Sequence, residues 1–348
     1  MTDPAGGTDL CLAAVVVTHN RPDQLLQTLA RLLDGPVDHV VVVDNASTDT
    51  TSARLAEQDD PRLTVLRLPD NRGGAGGFEA GLAALMRDVD PDWTVLMDDD
   101  ARPRPGALTT FRRVARTIDP GAPGHTDIGV IAASVVFPDG ALCEMNRPLH
   151  NPFWHLGTLL RTLLRGGRRG FHLRDDEILP GAPGGPAPPP VDVDGASFVG
   201  FFVNRGALAR AGLPEGGLFI YGDDVLYSLR LRRTGLRIRL MPDILFEHDC
   251  TTLGAGLATR PLWKIYYLCR NGVSVARQAA GAVLFPLALI YYTVKWSRMA
   301  AYYDPPERPL YRRLMWAGIR DGLLGRRGRN DAMHTCAEAP LVGRGATD

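Results

Sequence analysis

The chain has 348 residues, enough for one large α/β domain or two smaller ones. Lysine plus arginine and aspartate plus glutamate each number 39, so the total charge indicates no particular partner. The charge is unevenly distributed, because residues 260–329 carry thirteen basic side chains against three acidic ones. Such a segment can face nucleic acid or anionic lipid.

The N-terminal sequence MTDPAGGTDL has no basic stretch followed by an apolar run, so we expect no signal peptide. Five scattered cysteines without metal-finger spacing favour reduced thiols in a cytosolic protein. Residues 278–294 are uncharged, but 17 residues interrupted by Pro286 are at the lower limit for a membrane span. We therefore expect a buried or interfacial helix there.

Strand and helix patterns alternate four times in the first hundred residues. Apolar runs predict strands at 12–20, 39–49, 62–69 and 92–100, each ending in polar residues. Helical periodicity fills the intervals, and the third helix opens on the glycine-rich sequence NRGGAGGF. This alternation predicts a right-handed, mostly parallel sheet with helices on both faces.

The second half of the chain is less regular. A strand and turn are predicted at 128–140, and strand and helix return after residue 195. Between them, residues 179–190 are so rich in proline and glycine that we expect a mobile loop.

Polar clusters follow each of the four predicted strands. In open α/β sheets, ligands bind beyond the carboxyl ends of the strands, so one site built from four strand ends is expected. The clusters are Thr18 to Arg21, Asp44 with Asn45, Asn71 to Gly77, and Asp98 to Asp100.

Three consecutive aspartates follow the apolar run TVLM. Mg²⁺ and Mn²⁺ are commonly held by one or two carboxylates plus substrate phosphates. Alternate residues of an extended chain point to one side, which places Asp98 and Asp100 together and Asp99 opposite. A solvated acidic loop is the alternative, and the position after a buried strand weighs against it.

The other clusters each have two interpretations. Asp44 can bind ribose hydroxyls, or it can cap the following turn together with Asp49. The glycine-rich stretch matches neither a P-loop nor a dinucleotide fingerprint, so it either admits an anion to backbone N–H groups or forms a tight turn.

A second acidic pair, Asp223 and Asp224, begins a predicted helix. Acids at a helix N-terminus are favoured by the helix dipole whatever their function. His248 follows an apolar strand, and a lone histidine is more often structural than a metal ligand.

The order of these motifs resembles glycosyltransferase family 2, inverting enzymes with the GT-A fold. The resemblance runs from residue 12 to 249 through VVVTHNRP, VVVDNASTD, NRGGAGGF, LMDDDA, GDDVLYSLRL and FEHD. Within the family, the chain is similar to actinobacterial galactofuranosyltransferases of cell-wall galactan synthesis, and less so to rhamnosyltransferases. The later KIYYLCRNGVSVAR resembles a segment that follows the catalytic domain in enzymes acting on lipid-linked acceptors.

The resemblance implies a role for each motif. Asp224 would be the general base, supported by Asp223, while Mn²⁺ or Mg²⁺ would be held by Asp98, Asp100 and His248. Tyr266, Arg270 and Asn271 would contact the acceptor. The nucleotide-sugar site would comprise Thr18, Asn20, Arg21, Asp44, Asn45, Asn71, Gly73, Gly74, Gly76, Gly77, Asp98 and Asp99.

The implied organisation is a disordered N-terminus at 1–9, a GT-A catalytic domain at 10–255, a basic amphipathic helical region at 256–330 and a disordered tail at 331–348. The catalytic domain divides into a nucleotide-binding half at 10–118 and an acceptor-binding half at 119–255. The helical region would associate with the membrane.

The expected partners are a UDP- or dTDP-linked sugar, a lipid-linked glycan acceptor and an anionic membrane surface, with no nucleic acid. The protein is expected in the cytoplasm, peripheral on the inner face of the membrane. The sequence leaves the oligomeric state open.

The alternatives are a dTDP-rhamnose-dependent transferase, a nucleotidyltransferase and an inactive sugar-binding scaffold. A nucleotidyltransferase usually has a glycine-rich loop with a basic residue after the first strand, where this chain has THNRP. A scaffold leaves the intact acidic pairs and histidine unexplained. The sequence FIYG before the second acidic pair and the long proline-rich loop depart from the family pattern and leave the acceptor open.

Overall fold

A computed structural model of the chain describes residues 10–118, 127–165, 168–180, 185–250 and 258–338. The strands in these ranges are β1 Leu12–Thr18, β2 His39–Asp44, β3 Leu63–Arg67, β4 Trp93–Asp98, β5 Ala101–Pro103, β6 Ile128–Val136, β7 Val191–Val193, β8 Phe201–Asn204 and β9 Arg237–His248. The α-helices are α1 Pro22–Leu33, α2 Thr51–Ala56, α3 Gly73–Asp88, α4 Ala107–Thr117, α5 Leu156–Arg165, α6 Arg168–Phe171, α7 Asp175–Ile178, α8 Arg205–Ala211, α9 Asp223–Arg233, α10 Lys264–Met299, α11 Arg308–Leu323 and α12 Asp331–Glu338.

The strands form one sheet in the order β3-β2-β1-β4-β8-β6-β9-β5, with β7 paired to β9. As predicted, β1 to β4 are parallel. Strand β8 runs antiparallel between β4 and β6, so the second half of the sheet is mixed. Because β6 and β9 are parallel to each other and to β4, six strands have their carboxyl ends at the same edge of the sheet.

Helices cover both faces of the sheet, as the alternating pattern predicted. All seven residues of β1 are buried, which explains its unbroken apolar run. Successive side chains of a strand point to opposite faces. Leu12, Ala14 and Val16 pack against α1 and α4, whereas Ala13, Val15 and Val17 pack against α3.

The glycines of NRGGAGGF lie inside the first turns of α3, where a turn preceding the helix was expected. Their small size lets the helix lie directly on β1. A Cβ added at Gly77 would be 2.4 Å from Cγ1 of Val17, and one at Gly81 would be 2.5 Å from Cγ1 of Val15. Gly74 has no heavy atom within 4 Å of such a Cβ, so its backbone faces open space.

Helix α10 is broken at Gly281, which has φ 69° and ψ 175°. A Cβ added at Gly272 would be 2.5 Å from Cζ2 of Trp296, so the part after Gly281 folds back over the part before it. Residues 264–302 are the one stretch of the described chain that is long and apolar enough to cross a membrane. The break divides this stretch into two antiparallel pieces packed with α11.

The C-terminal segment differs from the prediction. Asp331–Glu338 is a helix, although residues 331–348 were expected to be disordered. The His334 ring stacks on Trp263 at 4.1 Å between centroids, and Met333 packs against the core of α10 and α11, so tertiary contacts stabilise this helix.

Three predicted irregular segments are described only in part or not at all. The described residues 179–180 and 185–190 of the proline-rich loop form no helix or strand. Residues 1–9, 181–184 and 339–348 lie outside the described ranges.

We predict that Gly77→Ala destabilises the protein by about 1–3 kcal/mol, because its Cβ would overlap the stiff, buried side chain of Val17. Gly74→Ala is the matched control in the same helix, and it is expected to be neutral or stabilising by up to about 1 kcal/mol. Urea unfolding of the two variants measures the difference. Equal stabilities would contradict the packing described for α3.

Candidate active site

The polar clusters that follow β1, β2, β4 and β9 meet at one edge of the sheet because these strands are parallel. Strand β4 ends at Asp98 and β9 ends at His248, but β8 and β6 lie between them. The short strand β5 bridges this gap. It pairs with β9 so that Ala101 lies opposite His248, and the preceding Asp100 comes next to the imidazole.

Three groups of the predicted metal site lie together. Ligand atoms of Asp98, Asp100 and His248 are all within 4.8 Å of one another. Asp100 and His248 are almost completely buried, and His248 Nε2 is 3.2 Å from Asp100 Oδ1. Two carboxylates and one imidazole are a donor set that suits a divalent cation such as Mn²⁺.

Asn146, which the sequence analysis did not identify, orients the histidine. Its Oδ1 is 2.7 Å from His248 Nδ1, so it accepts the proton of that nitrogen. With a metal bound, the neutral imidazole would keep this proton on Nδ1 and offer the lone pair of Nε2, the nitrogen that faces Asp100. This is the arrangement in which a second residue orients a metal-binding histidine. Asn146 lies in a short 3₁₀ turn without a periodic pattern, so nothing in the sequence marked it.

Negative charge is concentrated at this edge. Burial and the carboxylates of Asp100, Asp99 and Asp223 raise the pKa of Asp98 well above its usual range. The contribution of Asp223 indicates that this residue lies near Asp98, although 125 positions separate them. Such mutual repulsion is relieved by a bound cation.

Arg21 is a positively charged side chain in direct contact with these carboxylates. Its Nη1 donates to Asp100 Oδ2 at 2.6 Å and lies 3.4 Å from Asp99 Oδ1. Burial opposes the ionisation of Asp100, but the contacts with His248 and Arg21 lower the pKa of this carboxyl. Thr18 Oγ1 donates to Asp99 Oδ2 at 2.7 Å, and burial raises the pKa of Asp99 to about 6.

Lys264, the first residue of α10, is a second cation that the sequence analysis did not assign. It is half-buried, and burial together with the nearby charge of Arg21 lowers its pKa. The effect of Arg21 places the ammonium near that guanidinium. Two cations, Arg21 and Lys264, therefore lie near each other at this edge.

Hydrogen bonds of Asn20 connect the segment after β1 to the segment after β2. This residue has φ 56°, its backbone N–H donates to Ser47 Oγ, and its Oδ1 accepts from Thr48 N at 2.7 Å. A depression beside this contact is lined by Ala46, Ser47, Thr48, Arg67, Leu68 and Pro69.

Asp44 and Asn45 are both buried. Asp44 accepts from Ser47 N and from the Ser52 hydroxyl, which is the turn-capping arrangement weighed for it. Burial opposes its ionisation, but these hydrogen bonds lower its pKa. Asn45 accepts from Arg72 N at 2.8 Å and donates to Gly73 O at 2.9 Å, so it ties the glycine-rich helix to β2.

The start of α3 also contacts the loop that precedes the second acidic pair. Gly73 N donates to Asn71 Oδ1, and Ala75 N donates to the carbonyl of Phe219. Gly73 has φ 70°, and a Cβ there would lie 2.1 Å from the same carbonyl oxygen. Only glycine allows this approach between the two segments.

Asp223 and Asp224 occupy the first turn of α9, in a partly open position. Burial raises the pKa of Asp224 to about 6, and burial together with Asp224 raises that of Asp223 to about 7. Asp224 accepts from the backbone N–H of Val225 at 2.7 Å. A carboxyl whose pKa is near neutrality suits proton transfer.

The loop before this pair has an unusual backbone. Phe219, Tyr221 and Gly222 have φ values of 67°, 68° and 78°. Non-glycine residues in this region cost of order 1–3 kcal/mol each, and they persist only when their surroundings hold them.

Arg270 and Asn271 hold that loop, so their contacts differ from the acceptor contact expected of them. Both are 1% exposed. Asn271 Nδ2 lies within 3.0 Å of the carbonyl oxygens of Leu218, Ile220 and Tyr221, and Arg270 donates to the carbonyls of Leu218 and Gly328. Tyr266 is equally buried and donates to Asp321. These groups point into the protein because α10 packs its polar face on the loop.

Comparison with known proteins places this geometry in a family. Residues 13–122 match the model of glycosyl transferase family 2. The chain is 32% identical over 244 residues to galactofuranosyltransferase GlfT1 of Mycobacterium tuberculosis, covering 68% of this chain and 69% of that protein. It is 28% identical over 331 residues to GlfT1 of Mycolicibacterium smegmatis, covering 91% of this chain and 97% of that protein.

Solved structures share the fold at low sequence identity. TarS residues 1–349 from S. aureus superposes with a TM-score of 0.51 at 13% identity, covering 90% of both chains. GalNAc-T7, solved with UDP, GalNAc and Mn²⁺, gives a TM-score of 0.53 at 12% identity, covering 95% of this chain and 58% of that one. These likenesses agree with the predicted GT-A fold. The chain therefore belongs to glycosyltransferase family 2, and it is a glycosyltransferase.

Proposed function

We propose that the protein transfers galactofuranose from UDP-galactofuranose to a hydroxyl of a polyprenyl-diphosphate-linked glycan, with inversion at the anomeric carbon and with Mn²⁺ or Mg²⁺. The observation that carries this proposal is the meeting of two acidic sets at one edge of the sheet. One set is Asp98 and Asp100 with His248, and the other is Asp223 with Asp224. The similarity to GlfT1 supports the choice of sugar.

The donor would lie along the carboxyl ends of β1, β2 and β4. Its nucleoside would occupy the depression beside Ser47 and Thr48, and its diphosphate would lie between the backbone at Gly74 and the cations Arg21 and Lys264. Asp98, Asp100 and His248 would hold the metal. When bound, the metal supplies positive charge that stabilises the diphosphate as it leaves.

Asp224 would take the proton of the acceptor hydroxyl as that oxygen attacks the anomeric carbon from the face opposite the diphosphate. The bond from the anomeric carbon to the acceptor oxygen forms while the bond to the diphosphate oxygen breaks. A base and a leaving group on opposite faces produce inversion. Asp223, whose own pKa is raised by burial and by the charge of Asp224, would lie beside the base and support it.

A lipid-linked acceptor places the reaction at a membrane surface. Residues 260–329 have a surplus of ten basic side chains, and the half of α10 after Gly281 exposes apolar residues to solvent. Together they support a cytoplasmic protein that is peripheral on the inner face of the membrane, where anionic lipids attract basic segments.

A donor screen tests the proposal directly. Purified protein with Mn²⁺ and a polyprenyl-diphosphate-linked acceptor is incubated separately with UDP-galactofuranose, UDP-galactopyranose and dTDP-rhamnose, and the products are identified by mass spectrometry. We expect a hexose added only from UDP-galactofuranose. Transfer from dTDP-rhamnose alone would establish a rhamnosyltransferase, and turnover of no donor would favour a binding scaffold.

We predict that Asp224→Asn lowers kcat by at least about 10³-fold and leaves UDP affinity within about threefold, because the base is lost and the donor contacts remain. Steady-state kinetics and calorimetry with UDP measure the two effects. Glu215→Gln, an acidic residue that forms an exposed pair with Arg327, serves as the control and is expected to be fully active. Full activity of Asp224→Asn would exclude it as the base.

The pH dependence follows from the raised pKa of Asp224, which is about 6. A general base acts in its ionised form, so kcat/KM is expected to be level above about pH 7 and to fall tenfold per unit below about pH 6. The profile of the wild type is compared with the residual activity of Asp224→Asn, which should lack this acid limb. An identical limb in both proteins would assign it to another group.

Removal of the Asn146 amide is predicted to weaken metal binding. Asn146→Ala leaves His248 without the partner that selects its tautomer, so Mn²⁺ affinity should fall about 10–100-fold. Titration with Mn²⁺, followed by electron paramagnetic resonance of the free ion, measures this affinity. Asn330→Ala removes a comparable amide that bonds to Tyr266 in the helical region, and it should bind Mn²⁺ as the wild type does.

Asn271 is proposed to position the base through the loop at 218–222. Asn271→Ala leaves the carbonyls of Ile220 and Tyr221 without their side-chain donor, whereas Leu218 keeps that of Arg270, and it should cost about 1–3 kcal/mol in the free energy of unfolding. A displacement of the base by 1 Å is expected to lower kcat on the order of 10²-fold, with donor KM nearly constant.

Gln278→Ala, in the same helix and with one amide bond to the carbonyl of Leu226, is the matched control. Both variants are assayed well below their unfolding temperatures, and the pH profile is recorded. A shift of the acid limb in Asn271→Ala alone would support positioning of Asp224. An unchanged kcat and profile would leave Asn271 with a role in stability only.

A further inference from the structure

We propose that helix α5 and the part of α10 after Gly281 form a single docking surface for an anionic lipid bilayer. The proposal rests on the proposed function, in which the acceptor is lipid-linked. It deepens that function because it assigns membrane contact to a second helix in the middle of the catalytic domain. The sequence analysis expected such contact only in the basic region at 256–330.

Helix α5 exposes a row of leucines. Leu156, Leu160, Leu163 and Leu164 are 72%, 51%, 72% and 85% exposed. The spacing of four, seven and eight residues places them on one face of the helix. Soluble proteins rarely expose a contiguous apolar face of this kind without a partner.

The second part of α10 has a similar face. Val283, Leu287, Ile290 and Val294 are 87%, 65%, 62% and 45% exposed and follow the same helical spacing. Ala288 and Trp296 on the other side of the helix are buried against the protein. Residues 282–299 are about 27 Å long, and only one side is free, so this helix would lie in the plane of the membrane surface.

The two helices begin near a common point. Asn151 Nδ2 donates to the carbonyl of Ala279 at 3.0 Å. Asn151 precedes α5 by five residues, and Ala279 precedes the break at Gly281 by two. The two helices therefore start from neighbouring points of the molecule, and the proposal places their exposed apolar faces on one surface.

The charge of the residues around both helices indicates that an anionic lipid bilayer binds this surface. Residues 156–173 contain four arginines, at positions 161, 165, 168 and 169, and no acidic residue. Residues 264–303 contain five basic residues and again no acidic one. Leucine-rich faces bordered by arginine and lysine fit the boundary between acyl chains and negatively charged head groups.

The surface also connects to the catalytic apparatus. The first part of α10 carries Lys264 near Arg21 and Asn271 on the loop that precedes Asp223. Docking through the second part would thus bring the cleft to the level of the head groups, where a polyprenyl diphosphate presents its glycan.

Flotation with liposomes tests the proposal. The full chain is mixed with phosphatidylglycerol or phosphatidylcholine vesicles, and the membrane-bound fraction is measured after density centrifugation. The α5 variant is Leu160→Glu with Leu164→Glu, and the α10 variant is Leu287→Glu with Ile290→Glu. Thr64→Glu with Val65→Glu, on the exposed edge strand β3, adds the same charge elsewhere and serves as the control.

We expect each helix variant to partition into phosphatidylglycerol vesicles at least about tenfold more weakly than the wild type, while the control is unchanged. Phosphatidylcholine vesicles should bind the wild type on the order of tenfold more weakly. Unchanged binding of the α5 variant would overturn the two-helix surface, and equal binding to both lipids would overturn its anionic character. A lipid-free dimer that the α5 variant dissociates, seen by analytical ultracentrifugation, would overturn it in favour of a second copy as occupant.

An assay of sugar transfer to a water-soluble, short-chain acceptor, without vesicles, distinguishes failure of the docking surface from failure of the proposed function. The docking variants should keep the wild-type rate in that assay. If the wild type itself shows no transfer, the proposed function fails, and the flotation result still decides the docking surface.

Discussion

The mutual repulsion of carboxylates at one edge of the sheet is the constraint on which the rest of the site depends. Burial, together with the charges of Asp100, Asp99 and Asp223, raises the pKa of Asp98, and burial with the charge of Asp100 acts in the same direction on Asp99. Such a cluster is stable only beside positive charge. Arg21 provides part of that charge. A divalent cation would complete it, and the phosphates of a donor would then enter a site with balanced charge.

The topology brings these groups together. Strands β4 and β9 are not neighbours, and two strands keep their ends apart. The chain crosses this distance immediately after Asp98 and pairs as β5 with the end of β9. The geometry of the proposed metal site therefore depends on a short antiparallel strand at the end of a mixed sheet. Asn146, which approaches from a separate turn, orients the histidine in it.

The helical C-terminal region holds the loop that precedes the second acidic pair, and we propose that it also contacts the membrane. Arg270 and Asn271 bind the carbonyls of a loop whose backbone is strained at Phe219 and Tyr221. That loop contacts the start of α3 on one side and leads into Asp223 on the other. One network of hydrogen bonds thus links the glycine-rich helix, the second acidic pair and α10.

The sequence alone predicted the alternation of strands and helices and the edge of the sheet at which Asp44 and Asp98 would lie. It could do so because apolar periodicity is local and parallel strands end at a common edge. The other contacts of the site depend on tertiary structure. The partners of Asn146, Lys264 and Asn271 are distant in sequence, and the reversal at Gly281 depends on packing of α10 against itself. Local sequence patterns do not indicate such long-range contacts. A buried asparagine that holds a loop therefore cannot be distinguished in the sequence from one that binds a ligand.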